Sequence, residues 1–325
     1  MSHRTLESPV ATKPASPPPR RPARARKPSR RREGPQFRGL VSPHTLTTPH
    51  GKVIYWVVLT LVLVTFTAAF VFPLYWMFTG AMKSPEELAQ IPPTFFPETV
   101  NWGVWAEAWD LLDLGLFLKN TLLYAAGAWL FTLALDVSAA YALSKLRPVL
   151  GKAVLGMMLS TLMIPPTVIL LPAYLTVKDL PILGWNLINT PWAIWLPAVA
   201  NGFFIFLLKR FFDSIPRELL EAAQIDGASP LRILWSVVLP VSRPIIGVVS
   251  ILAVVNVWKD FVWPLLVLPD SEKMSISVGI SSLSAQMPQN VLIAALFIAS
   301  VPAIVVFLIF QRSIMAGLTA GSLKG

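Results

Sequence analysis

Lys209–Arg243 reads KRFFDSIPRELLEAAQIDGASPLRILWSVVLPVSR. The stretch is too polar to cross a bilayer, yet it carries the signals of two short helices. Asp213 or Ser214 is placed to cap the first, with Pro216 in its first turn. Arg217 to Ala223 continues it with good helix formers, and Gly227 is the residue type that closes a helix. Ser229-Pro230 then restarts the chain as an N-cap followed by proline at the first helical position. That second helix runs through Leu231 to Trp235 and is expected to stop by Pro240. A helix–turn–helix lying along a membrane face follows. Ala222, Ala223, Gly227 and Ala228 are small enough for another protein's backbone to approach closely. By composition alone, an amphipathic surface helix covering the bundle is an equally natural reading.

The residues around this segment are those of a membrane protein. The chain has 325 residues, 54% hydrophobic and 14% charged, whereas soluble domains carry about a quarter charged residues. A helix needs about 20 mainly apolar residues to cross the hydrocarbon core. Six runs meet that requirement, at about 53–78, 118–143, 153–177, 187–208, 244–268 and 291–310. The expected fold is therefore an all-α integral membrane protein with six transmembrane helices and a cytoplasmic loop, 209–243, between spans four and five. Prolines fall inside several runs, among them Pro165, Pro166, Pro172 and Pro302. Each kinks a helix and frees carbonyls that neighbouring helices must satisfy, so the spans are expected to pack as a bundle.

Residues 1–50 hold 11 Lys/Arg, two acids and ten prolines. Such a segment cannot bury enough apolar surface to offset its ordering entropy, and it reads as a disordered basic tail. Its roles are topogenic, or attraction to anionic headgroups. It is too long and polar for a signal-peptide n-region. Residues 51–325, the membrane domain, hold 16 basic and 15 acidic residues, which gives no charge signature of nucleic-acid binding. With the tail inside, the cytoplasmic segments collect Lys145, Arg147, Lys152, Lys209, Arg210, Arg217, Arg232, Arg243, Arg312 and Lys324. The outer ones hold only Lys83, Lys119, Lys178 and Lys273. Both termini are then cytoplasmic. The first outer loop, about 79–117, is acidic and carries Trp102, Trp105 and Trp109. Interfacial anchoring and docking of an external partner are both open readings of those indoles.

Asp136, Lys259 and Asp260 lie within the apolar runs, where each costs a few kcal/mol. Asp136 lies roughly 12 Å and Lys259 roughly 22 Å from the cytoplasmic end of its span, which argues against a direct bridge. Asn256, Trp258, Asp260 and Trp263 form a candidate sugar path, since hydroxyls are read by carboxylates and amides and sugar C–H faces by aromatic rings. The structural alternative is an interhelical hydrogen bond with an aromatic belt. Cysteine is absent, and the three histidines, His3, His44 and His50, lie outside the apolar body. That leaves no metal site, no cofactor and no catalytic residue to assign, and a membrane-embedded hydrolase lacks its machinery. No GxxxxGK[ST] loop exists, so the chain is not itself an ATPase.

The order Glu221-Ala222-Ala223, three residues, Gly227, nine residues, Val237-Val238-Leu239-Pro240 resembles the EAA signature of permease subunits of binding-protein-dependent ATP-binding-cassette importers. The usual isoleucine is Val237 here. Three further stretches look like the carbohydrate-uptake branch, relatives of the maltose permease: Met163–Tyr174, Asn256–Leu265 and the ending Gly317–Gly325. The resemblance covers about residues 50–325. It implies that the loop docks on a separate ATPase and couples nucleotide-driven closure to the membrane helices. Glu221, Ala222, Ala223, Gly227, Val237, Leu239 and Pro240 would carry that contact. It further implies a bacterial cytoplasmic membrane as location and, as partners, a second homologous permease, two ATP-binding subunits, an extracellular sugar-binding lipoprotein and membrane lipids. The alternatives are an importer permease for a non-sugar solute and an ion-coupled secondary transporter.

Overall fold

The computed structural model describes residues 48–320, and side chains up to residue 311. The basic tail up to residue 47 and the chain end from 321, with Lys324, lie outside the described residues. Two compact units divide the chain, Met1–Thr65 and Phe66–Gly325. The described part of the first is the beginning of α1 (Pro49–Ala81), whose apolar side chains from Val53 to Val64 are largely exposed. That is the pattern of a helix whose solvent is lipid.

Among its described residues, the regular elements of the second unit are all helices, apart from one isolated bridge between Leu180 and Trp185. The rest of α1 is followed by α2 (Pro85–Leu88) and α3 (Val104–Leu111). Next come α4 (Leu114–Tyr141), α5 (Gly151–Thr161) and α6 (Pro166–Lys178). Then follow α7 (Trp192–Ala198), α8 (Gly202–Asp213) and α9 (Arg217–Ile225). The chain continues through α10 (Pro230–Ile233), α11 (Leu239–Val241) and α12 (Arg243–Lys259). It closes with α13 (Val262–Val267), α14 (Ile276–Leu283) and α15 (Gln289–Ala320). α4 is the central helix and packs on α7, α8 and α12, while α12 also packs on α15.

Among the described residues three helices are long and apolar enough to span alone, and up to six crossings result if each of three bent pairs is one span. The apolar runs expected as spans three, four and five are broken. α5 and α6 meet at 107°, and α7 and α8 at 47°; the Pro230–Val241 stretch, which precedes the fifth run, meets α12 at 83°. Each break has a residue-level cause. The break Leu162–Pro165 ends on Pro165, and Pro166 opens α6, which holds the preceding residue out of the helical region. Asn201 is extended and its side chain accepts the N–H of Phe203 and of Phe204, capping α8. The run 244–268 is likewise not one helix: α12 ends at Lys259, and Asp260 is extended.

Close approaches seal the bundle. A Cβ on Gly127 of α4 would stand 2.2 Å from the Trp195 ring, and one on Gly202 would stand 2.8 Å from the Met158 carbonyl. Indole N–H groups satisfy carbonyls of neighbouring helices: Trp195 Nε1 donates to Tyr124 O at 3.1 Å, and Trp263 Nε1 to Ala193 O at 2.9 Å. This is the internal satisfaction that a lipid solvent cannot provide.

Candidate functional site

The segment 213–240 is a helical knob held to one end of the bundle. Its first helix, α9, begins at Arg217 behind Pro216 and has no side-chain cap. Asp213, expected as a cap, instead ends α8: its Oδ1 accepts from Ser144 Oγ at 2.7 Å, and its Oδ2 pairs with Lys209 at 2.7 Å. Ser214 donates its hydroxyl to Phe211 O. Both residues are therefore engaged with the spans.

The end of α9 explains the motif's spacing. Gly227 has φ +77°, its N–H reaches Gln224 O at 3.0 Å, and Ala228 N–H reaches Ala223 O at 3.0 Å. These two bonds make a Schellman closure, which needs a left-handed residue four positions after the alanine whose carbonyl it satisfies. Ala223 and Ala228, its two apolar partners, both pack on the core. Ser229 then caps α10, accepting from Arg232 N. The second helix does not stop at Pro240. A π turn, Leu234–Val238, widens the helix and leads into α11, which contains Pro240 and ends at Val241. The wider i→i+5 turn lets the chain pass proline, which lacks an N–H to donate.

The knob is joined to the bundle by apolar burial and by backbone acceptors. Ile215, Ile233, Leu234 and Val238 are buried in one cluster with Tyr141, Leu208, Phe212 and Val249. Each such side chain stabilises the joint by about 1.5–3 kcal/mol. Tyr141 Oη donates to Pro230 O at 2.9 Å, and Lys145 Nζ to Ile215 O at 3.4 Å. A displacement of the knob is thereby imposed on α4, α8 and α12.

The structure divides the seven residues of the motif. Glu221, Ala222, Gly227 and Pro240 lie on the surface, whereas Ala223, Val237 and Leu239 pack inward on the core. Ala223 thus serves the joint rather than the outer face. Four apolar residues that sequence reasoning missed share the outside: Leu219 at 46% exposure, Ile225 at 86%, Leu231 at 68% and Trp235 at 70%. Their only sequence signal was apolarity inside a polar loop, which Ile233 and Val238 share while being buried.

Gly227→Val is expected to leave the chain inserted but to unseat the turn. A β-branched residue at φ +77° costs about 1–2 kcal/mol. No atom lies within 4 Å of the Cβ position, so the penalty is purely backbone. Gly227→Asn, which tolerates left-handed geometry, should keep most transport, while valine should lower it about tenfold. Equal uptake rates for the two variants would contradict this account.

The candidate path residues do not all converge. Asn256, Asp260 and Trp263 line one cavity of about 230 Å³ with Asn201 and Thr132. Trp258 does not: it is buried toward α15, where its Nε1 donates to Ala299 O at 3.1 Å. Two residues along a helix is a rotation of about 200°, so Trp258 and Asn256 cannot face the same side. Asp260 follows α12 and its Oδ1 accepts from Trp263 N at 3.5 Å, so part of its carboxylate caps α13. Asp136 lies behind this cavity's wall. It is fully buried, its Oδ1 accepts Asn201 N–H at 3.2 Å, and its Oδ2 has no hydrogen-bond partner. Asp136 does not pair with Lys259: among the described residues the ion pairs are Lys209–Asp213 and Lys273–Asp270.

The segment after α1 is folded rather than loose. Buried Glu87 accepts from Thr94 Oγ1 at 2.6 Å and from Glu98 N, and buried Lys83 donates to Thr94 O. Trp105 stacks on Phe78 at 5.3 Å and meets Phe297 at 5.4 Å, while Trp102 and Trp109 stay exposed. Among the described residues no group of three His, Cys, Asp or Glu is placed to hold a metal ion.

The family profile described as "Binding-protein-dependent transport system inner membrane component" matches residues 134–319. The chain is 30% identical over 275 residues to the melibiose/raffinose/stachyose import permease protein MelC of Bacillus subtilis, covering 82% of this chain and 96% of that one. It is 32% identical to the sulfoquinovosyl glycerol transport system permease protein SmoH of Agrobacterium fabrum, over 78% of this chain and 89% of that one. A chain of a bacterial ABC transporter involved in import of the acidic polysaccharide alginate has the same fold. Its TM-score is 0.70 at 22% identity, over 82% of this chain and 99% of that one.

Proposed function

Since this chain belongs to the family of inner-membrane components of binding-protein-dependent transport systems, we propose that it is one permease half of an ATP-driven importer of sugars or similar polyols. The observation that carries the coupling role is the knob of residues 213–240. Its inner face is tied to α4, α8 and α12, and its outer face carries charged residues of both signs and exposed apolar side chains that no other element covers among the described residues. A stiff peg transfers a rigid-body motion that a loose loop would absorb. A separate ATPase grips that face from the cytoplasm, and Glu221, Ala222 and Pro240 meet it directly.

The partner set is a second homologous permease, two ATP-binding subunits and an external sugar-binding lipoprotein. Six crossings would leave both termini on one side of the membrane, and the excess of Lys and Arg in the inner segments supports the cytoplasm as that side, with residues 1–50 as a basic tail ahead of the membrane domain. The sugar class is supported by the substrates in the names of MelC and SmoH. It is also supported by the amide, carboxylate and indole that line the cavity at Asn256, Asp260 and Trp263. Trp258 is left out of that path. Asp136 and Asp260 each hold a backbone N–H through one carboxylate oxygen, at Asn201 and Trp263, which supports a structural part for both beside the importer reading.

The test is uptake of labelled sugars in cells with ATP maintained and the proton gradient collapsed by an ionophore. Continued uptake, lost on ATP depletion, is the expected result. Loss of uptake with the gradient alone overturns the proposal.

A further inference from the structure

At the end of the bundle that carries the knob, a cavity of about 550 Å³ opens beside the turn between α4 and α5. We propose that it is a binding site for the headgroup of an anionic phospholipid, formed where Arg147, Lys152 and Lys209 meet beside apolar residues of the same turn.

The turn itself creates the juxtaposition. α4 passes into a π turn, Ala142–Leu146, which ends on Arg147 in left-handed backbone at φ +50°. Pro148 and the two residues after it reverse the chain into α5, which brings Arg147 and Lys152 to the same cavity as Lys209 of α8. Asp213 neutralises Lys209 at 2.7 Å. Arg147 donates Nε to Ser144 O at 3.2 Å, and its two terminal nitrogens have no partner among the described residues. Lys152 is exposed and has no partner among the described residues. Two cationic groups therefore face the cavity uncompensated.

The apolar residues beside them select the ligand's other half. Val149, which lines the cavity, is 100% exposed, and Leu150, next in the turn but outside the lining, 70%, an arrangement that water disfavours but that the acyl boundary of a membrane accommodates. Cations with long alkyl stems over such residues are the arrangement by which a basic pocket between membrane helices holds an anionic headgroup. A free phosphate ion would use the cations and gain nothing from the apolar wall.

The test uses the full chain in neutral detergent, titrated with phosphatidylglycerol or with phosphatidylcholine of the same acyl chains and read by native mass spectrometry. Phosphatidylglycerol should be retained preferentially. Arg147→Asn with Lys152→Gln should weaken its retention about 25-fold, about fivefold per cation removed. Asparagine is chosen because it tolerates the left-handed position. The charge-preserving pair Arg147→Lys with Lys152→Arg should retain the lipid, which separates lost charge from lost fold. Three results overturn the proposal: equal retention of the two lipids, unchanged retention by the neutral pair, or displacement of the lipid by millimolar inorganic phosphate.

Discussion

Glu221→Lys should abolish ATP-driven uptake, with a fall of about a hundredfold or more, while the chain still inserts and folds. Glu221 is exposed on α9 and makes no hydrogen bond or ion pair within the described chain. Reversing its charge therefore removes nothing that stabilises the bundle. What it changes is the outer face of the knob, where a like-charge juxtaposition with a docked partner costs several kcal/mol, and about 2.7 kcal/mol is already a hundredfold in affinity. The measurement is co-purification of the ATPase with the tagged permease, alongside sugar uptake. Ala223→Asp is a useful contrast, because Ala223 packs on the core and forms the C-terminal closure of α9. That variant should lose folded protein, whereas Glu221→Lys should lose only the partner. Normal uptake by Glu221→Lys would remove Glu221 from the interface.

Gly127→Val should destabilise the folded bundle by about 3 kcal/mol, at the upper end of what overpacking a core costs. The Trp195 ring, 2.2 Å from the would-be Cβ, has little room to retreat. Its Nε1 is bonded to Tyr124 O, and Phe131 and Trp192 lie 5.6 and 5.1 Å from its centroid. The expected readout is a lowered thermal unfolding midpoint in detergent and a reduced yield of monodisperse protein. Gly156→Ala, where no atom lies within 4 Å, should leave both unchanged. Trp195→Phe, combined with Gly127→Ala, should recover part of the loss suffered by Gly127→Ala alone, since a smaller ring frees space. Absence of that coupling would mean the two helices meet differently.

The two parts of the site were legible to different degrees. The Glu221–Gly227 spacing was readable because a Schellman closure requires a left-handed residue at a set distance from Ala223, and Gly227 occupies it. The Ser229 cap was readable for the same local reason. Asp213 was misassigned as a cap because its partners, Ser144 and Lys209, are set by how α4 and α8 pack, and Ser144 is 69 residues away. Trp258 was grouped with Asn256 by proximity in the chain, whereas helix rotation turns it toward α15.

The apolar runs, the polar interruption at 209–243 and the glycine that turns it follow from the residues alone. Transfer of a side chain to hydrocarbon, and the backbone freedom of a glycine, are properties of each residue and its neighbours. The tertiary structure alone decided that two of the runs are bent pairs and that a third breaks at Asp260, that Ala223 faces the bundle while Ala222 faces out, and that Asp136 serves the break at Asn201. Those outcomes depend on which helix lies opposite, and a contact between residues far apart in the chain has no local signature.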